Sequence, residues 1–153
     1  MLMTTKWFFT LLMAVGLGIC STKAGTSAYT PAPGNPERQA IMDVMRLDFY
    51  RNDLAGAHRN ADGIFFKVQF LRVHGDWALT FVQPVNGNDA DYAEPRWGLL
   101  HRKNGKWVTV DYFDALGPYA NDTAADDVLD MTPATIRKMW RVFTNIPRDI
   151  FPN

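Results

Sequence analysis

The sequence predicts an α+β fold: an N-terminal helix packed on a four-stranded antiparallel meander, followed by a C-terminal helix and tail. Three observations predict it. Two Gly-centred turns, His74-Gly75-Asp76 and Asn104-Gly105, each lie between strand-like runs. Asn-Gly in that setting is a strong hairpin signal, because both residues tolerate positive φ. Asn35-Pro36 and Thr132-Pro133 each set a capping residue before a first-turn proline, one pair ahead of the strands and one behind them.

The N-terminus reads as a secretory signal peptide over residues 1–24. Lys6 supplies the charge, and Trp7 to Ile19 forms a 13-residue apolar run, short for a membrane span. Thr22-Lys23-Ala24 offers small residues where a signal peptidase reads them, so cleavage is expected after Ala24. Processing would leave 129 residues (153 − 24), with 14 basic and 16 acidic side chains. Cys20, the only cysteine, would leave with the signal, so the mature domain would have no disulfide and no thiol chemistry. The rival reading lipidates Cys20 as a membrane anchor, but Ile19 stands where lipoprotein signals want a small residue.

Residues 25–34 read as a flexible polar leader and 35–153 as a single α+β domain. A first helix is expected from Pro36 to about Tyr50, with Ala40, Ile41, Val44, Met45 and Asp48 on one stripe. Residues 51–63 read as a loop. Strands are expected over 64–73, 76–85, 95–103 and 106–114, irregular chain over 115–131, and a second helix from Thr132-Pro133 to about Thr144.

With Asn104-Gly105 as a two-residue loop, Lys103 pairs with Lys106, Arg102 with Trp107, His101 with Val108 and Leu99 with Val110. Alternation then places Trp97, Leu99, His101, Val108, Val110 and Tyr112 on one strongly apolar face. Phe66, Val68, Phe70, Trp77, Leu79 and Phe81 share a face in the first hairpin. The first helix is expected to cover this apolar face, where six large side chains would contribute roughly 10–15 kcal/mol before entropy costs. The opposite face mixes charge with Leu71, Val73, Val82, Leu100, Trp107 and Phe113. The C-terminal helix and the Ile146–Phe151 tail are expected to cover it, the alternative being a partner.

Composition excludes some functions. A formal net charge of +0 with no long basic run argues against nucleic acid as a partner. No G-x-S-x-G, H-E-x-x-H or phosphate-binding Gly loop occurs in the sequence. His58, His74 and His101 have no second ligand at a metal-binding spacing, and His101 reads as an edge histidine of the core face. Arg96 should lie diagonally across from Asp111, as an ion pair or as an anchor for a polar ligand. Arg102 over Trp107 reads as a cation–π contact. Asn86, Asn88, Asp89, Asp91 and Glu94 gather oxygens in one loop whose spacing fails the EF-hand pattern. Asp122, Asp126, Asp127 and Asp130 form a second acidic stretch, and Asn121-Asp122-Thr123 is a glycosylation sequon. No catalytic residue, cofactor or metal is assigned.

Pro33-Gly34-Asn35-Pro36-Glu37-Arg38-Gln39-Ala40-Ile41-Met42-Asp43, Leu71-Arg72-Val73-His74-Gly75-Asp76-Trp77-Ala78 and the W-x-L-L…G-x-W-x-x-x-D pattern over 97–111 resemble a group of secreted bacterial proteins of unknown function. That resemblance implies a periplasmic or secreted location and transfers no activity. A helix followed by an antiparallel meander also looks like the cystatin-like and NTF2-like folds, which host inhibitors, ligand carriers and enzymes alike. The leading expectation is a non-enzymatic binding or interaction module with an unknown protein or small-molecule partner, no nucleic acid and no membrane span. A second reading is a small-molecule binder or enzyme with a pocket between the first helix and the sheet, lined by Trp77, Trp97, His101 and Tyr112. A third is a cell-envelope enzyme inhibitor that inserts the 86–94 loop.

Overall fold

The computed structural model describes residues 27–52, 64–120 and 131–152. The expected signal peptide with Cys20, His58 and the acidic stretch with its sequon lie outside the described residues. Among the described residues, no helix is long and apolar enough to cross a membrane.

Helix α1 spans Pro36–Asn52. The Asn35 side chain accepts the Glu37 N–H at 2.8 Å, and Pro36 fills a position that needs no donor. Its buried stripe is Ile41, Met42, Met45 and Phe49, rotated from the expected one, so that Phe49 points inward and Ala40 outward.

The strands are β1 (Phe65–His74), β2 (Trp77–Val85), β3 (Arg96–Lys103) and β4 (Lys106–Thr109), antiparallel in the order β1-β2-β3-β4. The fold is therefore α+β with a four-stranded antiparallel meander. His74 pairs with Trp77, which makes Gly75-Asp76 the loop of the first hairpin, and Gly75 takes φ +58°. Asn104 and Gly105 take φ +51° and +76°, the two positive values a type I′ turn requires. The predicted β3–β4 pairs at Lys103, Arg102 and His101 all form, and the Val110 N–H donates to the Leu99 carbonyl at 2.8 Å.

Three expectations are corrected. First, β1 carries a bulge: Val68 pairs with Val82 but Phe70 with Phe81, which leaves Gln69 unpaired and reverses the facing of the strand at that point. Phe66 and Val68 therefore pack on the face opposite Phe70. Second, β4 stops at Thr109, and helix α2 (Tyr112–Ala120) begins where a strand was expected to continue. The cause is local: Asp111 accepts the Asp114 N–H through Oδ1 at 3.0 Å, a capping contact that turns the chain out of the sheet.

Third, the covers are exchanged. Helix α1 lies on the mixed face, where Ile41, Met42 and Met45 pack with Leu71, Val73, Ala78, Val82, Leu100 and Trp107. The apolar face is covered by α2, by helix α3 (Pro133–Val142) and by the tail, through Leu116, Ile136, Met139, Ile146, Ile150 and Phe151. Volume explains the exchange. The mixed face presents small residues at its centre, and Gly98 lies under Met45 so closely that a Cβ there would sit 2.3 Å from the sulfur. One narrow helix stripe fits that surface. The aromatic face leaves more space, and two helices and a tail fill it.

Helix α3 begins as predicted, with the Thr132 hydroxyl accepting the Thr135 N–H at 3.2 Å. The tail ends in a 3-10 turn at Arg148–Ile150. Where it is described, the segment expected as a leader makes fixed contacts. Tyr29 exchanges two backbone hydrogen bonds with Val73 (2.9 and 2.8 Å), and its hydroxyl donates to Glu37, which also accepts from Arg102.

A polar clasp closes the tail on this edge. Asp149 contacts His74 Nδ1 at 2.7 Å and accepts the Ala28 N–H at 2.8 Å. Arg72 donates to the carbonyls of Asp149 and Phe151, each at 3.1 Å. Desolvation pushes the Asp149 carboxyl up. The His74 hydrogen bond, the Ala28 N–H and the charge of His74 together outweigh it and hold the group below its ordinary 3.8. A depressed carboxyl contributes stability that is present above its unfolded value and lost as pH falls through the folded one. The melting temperature of the wild type is therefore expected to fall more steeply than that of Asp149→Asn as pH drops below about 4. Parallel melting curves across that window would show the clasp to be energetically idle.

Candidate functional site

The described residues enclose a cleft of about 750 Å³ at the free edge of β3. It exists because β4 is short. β3 begins at Arg96, yet its pairing with β4 covers only Leu100 to Lys103. Asp111 turns the chain away, and the space left beside Arg96–Leu99 becomes the cleft. One wall is the last turns of α1, with Met45, Asp48 and Asn52. The other is the start of α2, with Tyr112 and Phe113, whose rings stack at 4.5 Å. Phe81 and Trp97 line the floor, stacked at 4.6 Å and 27°.

Polar groups sit at fixed places around this apolar body. Asp48 Oδ1 accepts from the Thr109 hydroxyl at 3.1 Å and from Asn52 at 3.2 Å. Arg96 lies 4.8 Å over the ring of buried Phe49, which fixes its guanidinium at the cleft. Burial pushes the Tyr112 hydroxyl well above its ordinary value; nearby Arg96 opposes that shift and Asp111 adds to it. Arg96 and Asp111 both line the cleft, but Asp111 does so from the cap of α2 and not from the strand position expected for it. Glu94 and Asp111 add two more carboxylates. A cleft of this size with an apolar body and a few placed polar groups suits the capture of a ligand or chain segment.

The four residues predicted to line a pocket divide into two pairs. Trp97 and Tyr112 line the cleft. Trp77 and His101 lie further along the same sheet face, with ring centroids 4.4 Å apart, and Phe143 packs on Trp77 at 5.9 Å. The cleft has α1 as one wall and the sheet as its floor, but Trp77 and His101 do not line it. Asp48, Asn52, Glu94 and Phe113 were missed. For Phe113 the available signal was Asp111, a capping residue three positions before Asp114, which marks where strand gives way to helix; no local signal marks Asp48, Asn52 or Glu94.

The other candidates are accounted for structurally. Arg102 lies 4.4 Å over Trp107 as predicted. The 86–94 loop is folded on itself: Asn86 Oδ1 accepts the N–H groups of Asn88 and Ala90, and Asp89 pairs with Lys67 at 2.9 Å. Among the described residues, no group of three or more His, Cys, Asp or Glu side chains is placed to hold a metal ion.

The fold and the cleft together define the class: a small α+β domain with a preformed cleft beside a short edge strand. No family model matches the chain, and no curated protein or solved structure matches it.

Proposed function

We propose that this protein is a secreted or periplasmic binding module whose ligand site is the cleft beside Arg96–Leu99. The observation that carries the reading is the cleft itself, where Trp97, Phe81, Tyr112 and Phe113 surround an opening between the last turns of α1 and the Asp111-capped start of α2. Its polar groups are positioned by Thr109, Asn52 and Phe49, an arrangement that suits recognition. The signal-like N-terminus and the resemblance to secreted bacterial proteins support the location. The order of helix, then antiparallel meander supports a finer grouping with the cystatin-like or NTF2-like folds.

The test is native mass spectrometry of the protein purified gently from its own cells, beside Trp97→Ala and Phe113→Ser. The wild type is expected to carry a bound molecule or chain, and both variants to lose it while keeping a cooperative melt. Phe113 is 41% exposed, so its substitution should leave the core intact. Retention of the ligand by both folded variants would place the site elsewhere.

A further inference from the structure

We propose that the cleft captures its partner by strand addition. An extended peptide segment of another protein, alternating apolar and basic side chains, pairs antiparallel with β3 at Trp97. This rests on the reading of the cleft as the binding site and names its occupant.

Register supplies the backbone half of the argument. The Arg102 N–H donates to Asp76 at 2.7 Å on the β2 side, while the Leu99 carbonyl accepts from Val110 on the β4 side. Backbone groups alternate along a strand, so those of Trp97 point as those of Leu99 do, away from β2. At Trp97 there is no β4 to meet them. Among the described residues, no backbone group bonds to the Trp97 N–H or carbonyl. Leu99 is already held by Val110, so the open edge runs from Arg96 to Gly98, about 10 Å, with the outward groups of Trp97 at its centre. An unpaired edge of this kind is a template for a further strand.

Side chains supply the specificity. A residue opposite Trp97 shares its sheet face and would rest on Trp97, Phe81 and Tyr112, which favours an apolar side chain. Its two neighbours would project to the α1 face, beside Asp48. Only one Asp48 oxygen is engaged there, and Oδ2 accepts no hydrogen bond among the described residues. Among the described residues that line the cleft, Glu94 and Asp111 set two further carboxylates against the one guanidinium of Arg96. The excess of negative charge selects basic neighbours.

The test uses the protein purified from its own cells and the blocked probe acetyl-Lys-Val-Lys-Val-Lys-Val-Lys-amide, read by titration calorimetry and by hydrogen exchange of the Trp97 amide. Binding should protect that amide. Probes N-methylated at the valines should bind about tenfold more weakly or worse, because the lost N–H groups are those facing β3. The probe N-methylated at the lysines should bind as the parent does. Replacing the lysines by glutamate, or Asp48→Asn in the protein, should weaken binding by about tenfold; the Asn carbonyl still accepts from Thr109. Equal binding of the valine-methylated probe, no binding at about 1 mM, or an unprotected Trp97 amide would each overturn the proposal. So would a dimer of the protein alone whose Trp97 amide is already protected, since a second copy would then hold the edge. If these probes fail while Trp97→Ala still loses a co-purified ligand, strand addition falls and the cleft remains the site. If that ligand is also retained, both readings fall.

Discussion

Ending the chain at Asn145 is expected to leave no stable folded monomer. The cut removes Ile146, Ile150 and Phe151, which are 6%, 0% and 2% exposed and belong to the core over the aromatic sheet face. At about 1.5–3 kcal/mol for each buried side chain, the loss is roughly 5–9 kcal/mol, comparable to the 5–15 kcal/mol that holds an ordinary domain together. The cut also strips the acceptors from Arg72 and the carboxylate from His74, and it exposes Trp140, on which Phe151 packs edge-on at 5.9 Å. Gel filtration and circular dichroism of the shortened chain should show aggregation or a broad, uncooperative melt. A monomer with the wild-type melt would mean that the tail adds nothing to this face.

The second large effect is expected at Phe49, which is 1% exposed at the end of the α1 stripe. Its ring meets Phe66 edge-on at 6.0 Å and Tyr92 at 6.3 Å, and Arg96 lies over its face. Phe49→Ala should cost about 3–5 kcal/mol in denaturant unfolding, through lost burial and the cavity left behind. The melting temperature should fall by roughly 10–20 °C. Phe49→Leu keeps most of the volume and should cost less than half as much. Because Phe49 is also the platform under Arg96, both variants should weaken binding in the cleft beyond what their stability explains. A cost below about 1 kcal/mol for Phe49→Ala would mean that the last turns of α1 pack loosely on the sheet.

The cleft shows how far residues alone reach. Trp97 and Tyr112 both line the cleft, but not through the strand pairing that the Asn104-Gly105 turn implies, because β4 ends at Thr109 and Tyr112 opens α2. Trp77 and His101 lie on the same sheet face as Trp97, but Phe143 reaches Trp77 from a helix more than forty residues later in the chain. No local pattern reports such a contact. Asp48 and Asn52 join the site only because α1 crosses the mixed face with Met45 over Gly98. The bulge at Gln69 has no local signal, since its sequence reads as an uninterrupted strand.

The residues alone dictate the positive-φ turns, the capped starts of α1 and α3, the meander and the register of its last hairpin. Each follows from steric and hydrogen-bonding limits that act over three or four positions. The tertiary structure, by matching volumes between distant segments, fixes which helices cover which face and where β1 shifts register, whereas the end of β4 beside the cleft is set locally by the Asp111 cap. A small-residue centre accepts one narrow helix, an aromatic face requires two helices and a tail, and the edge left between them is where the protein is open.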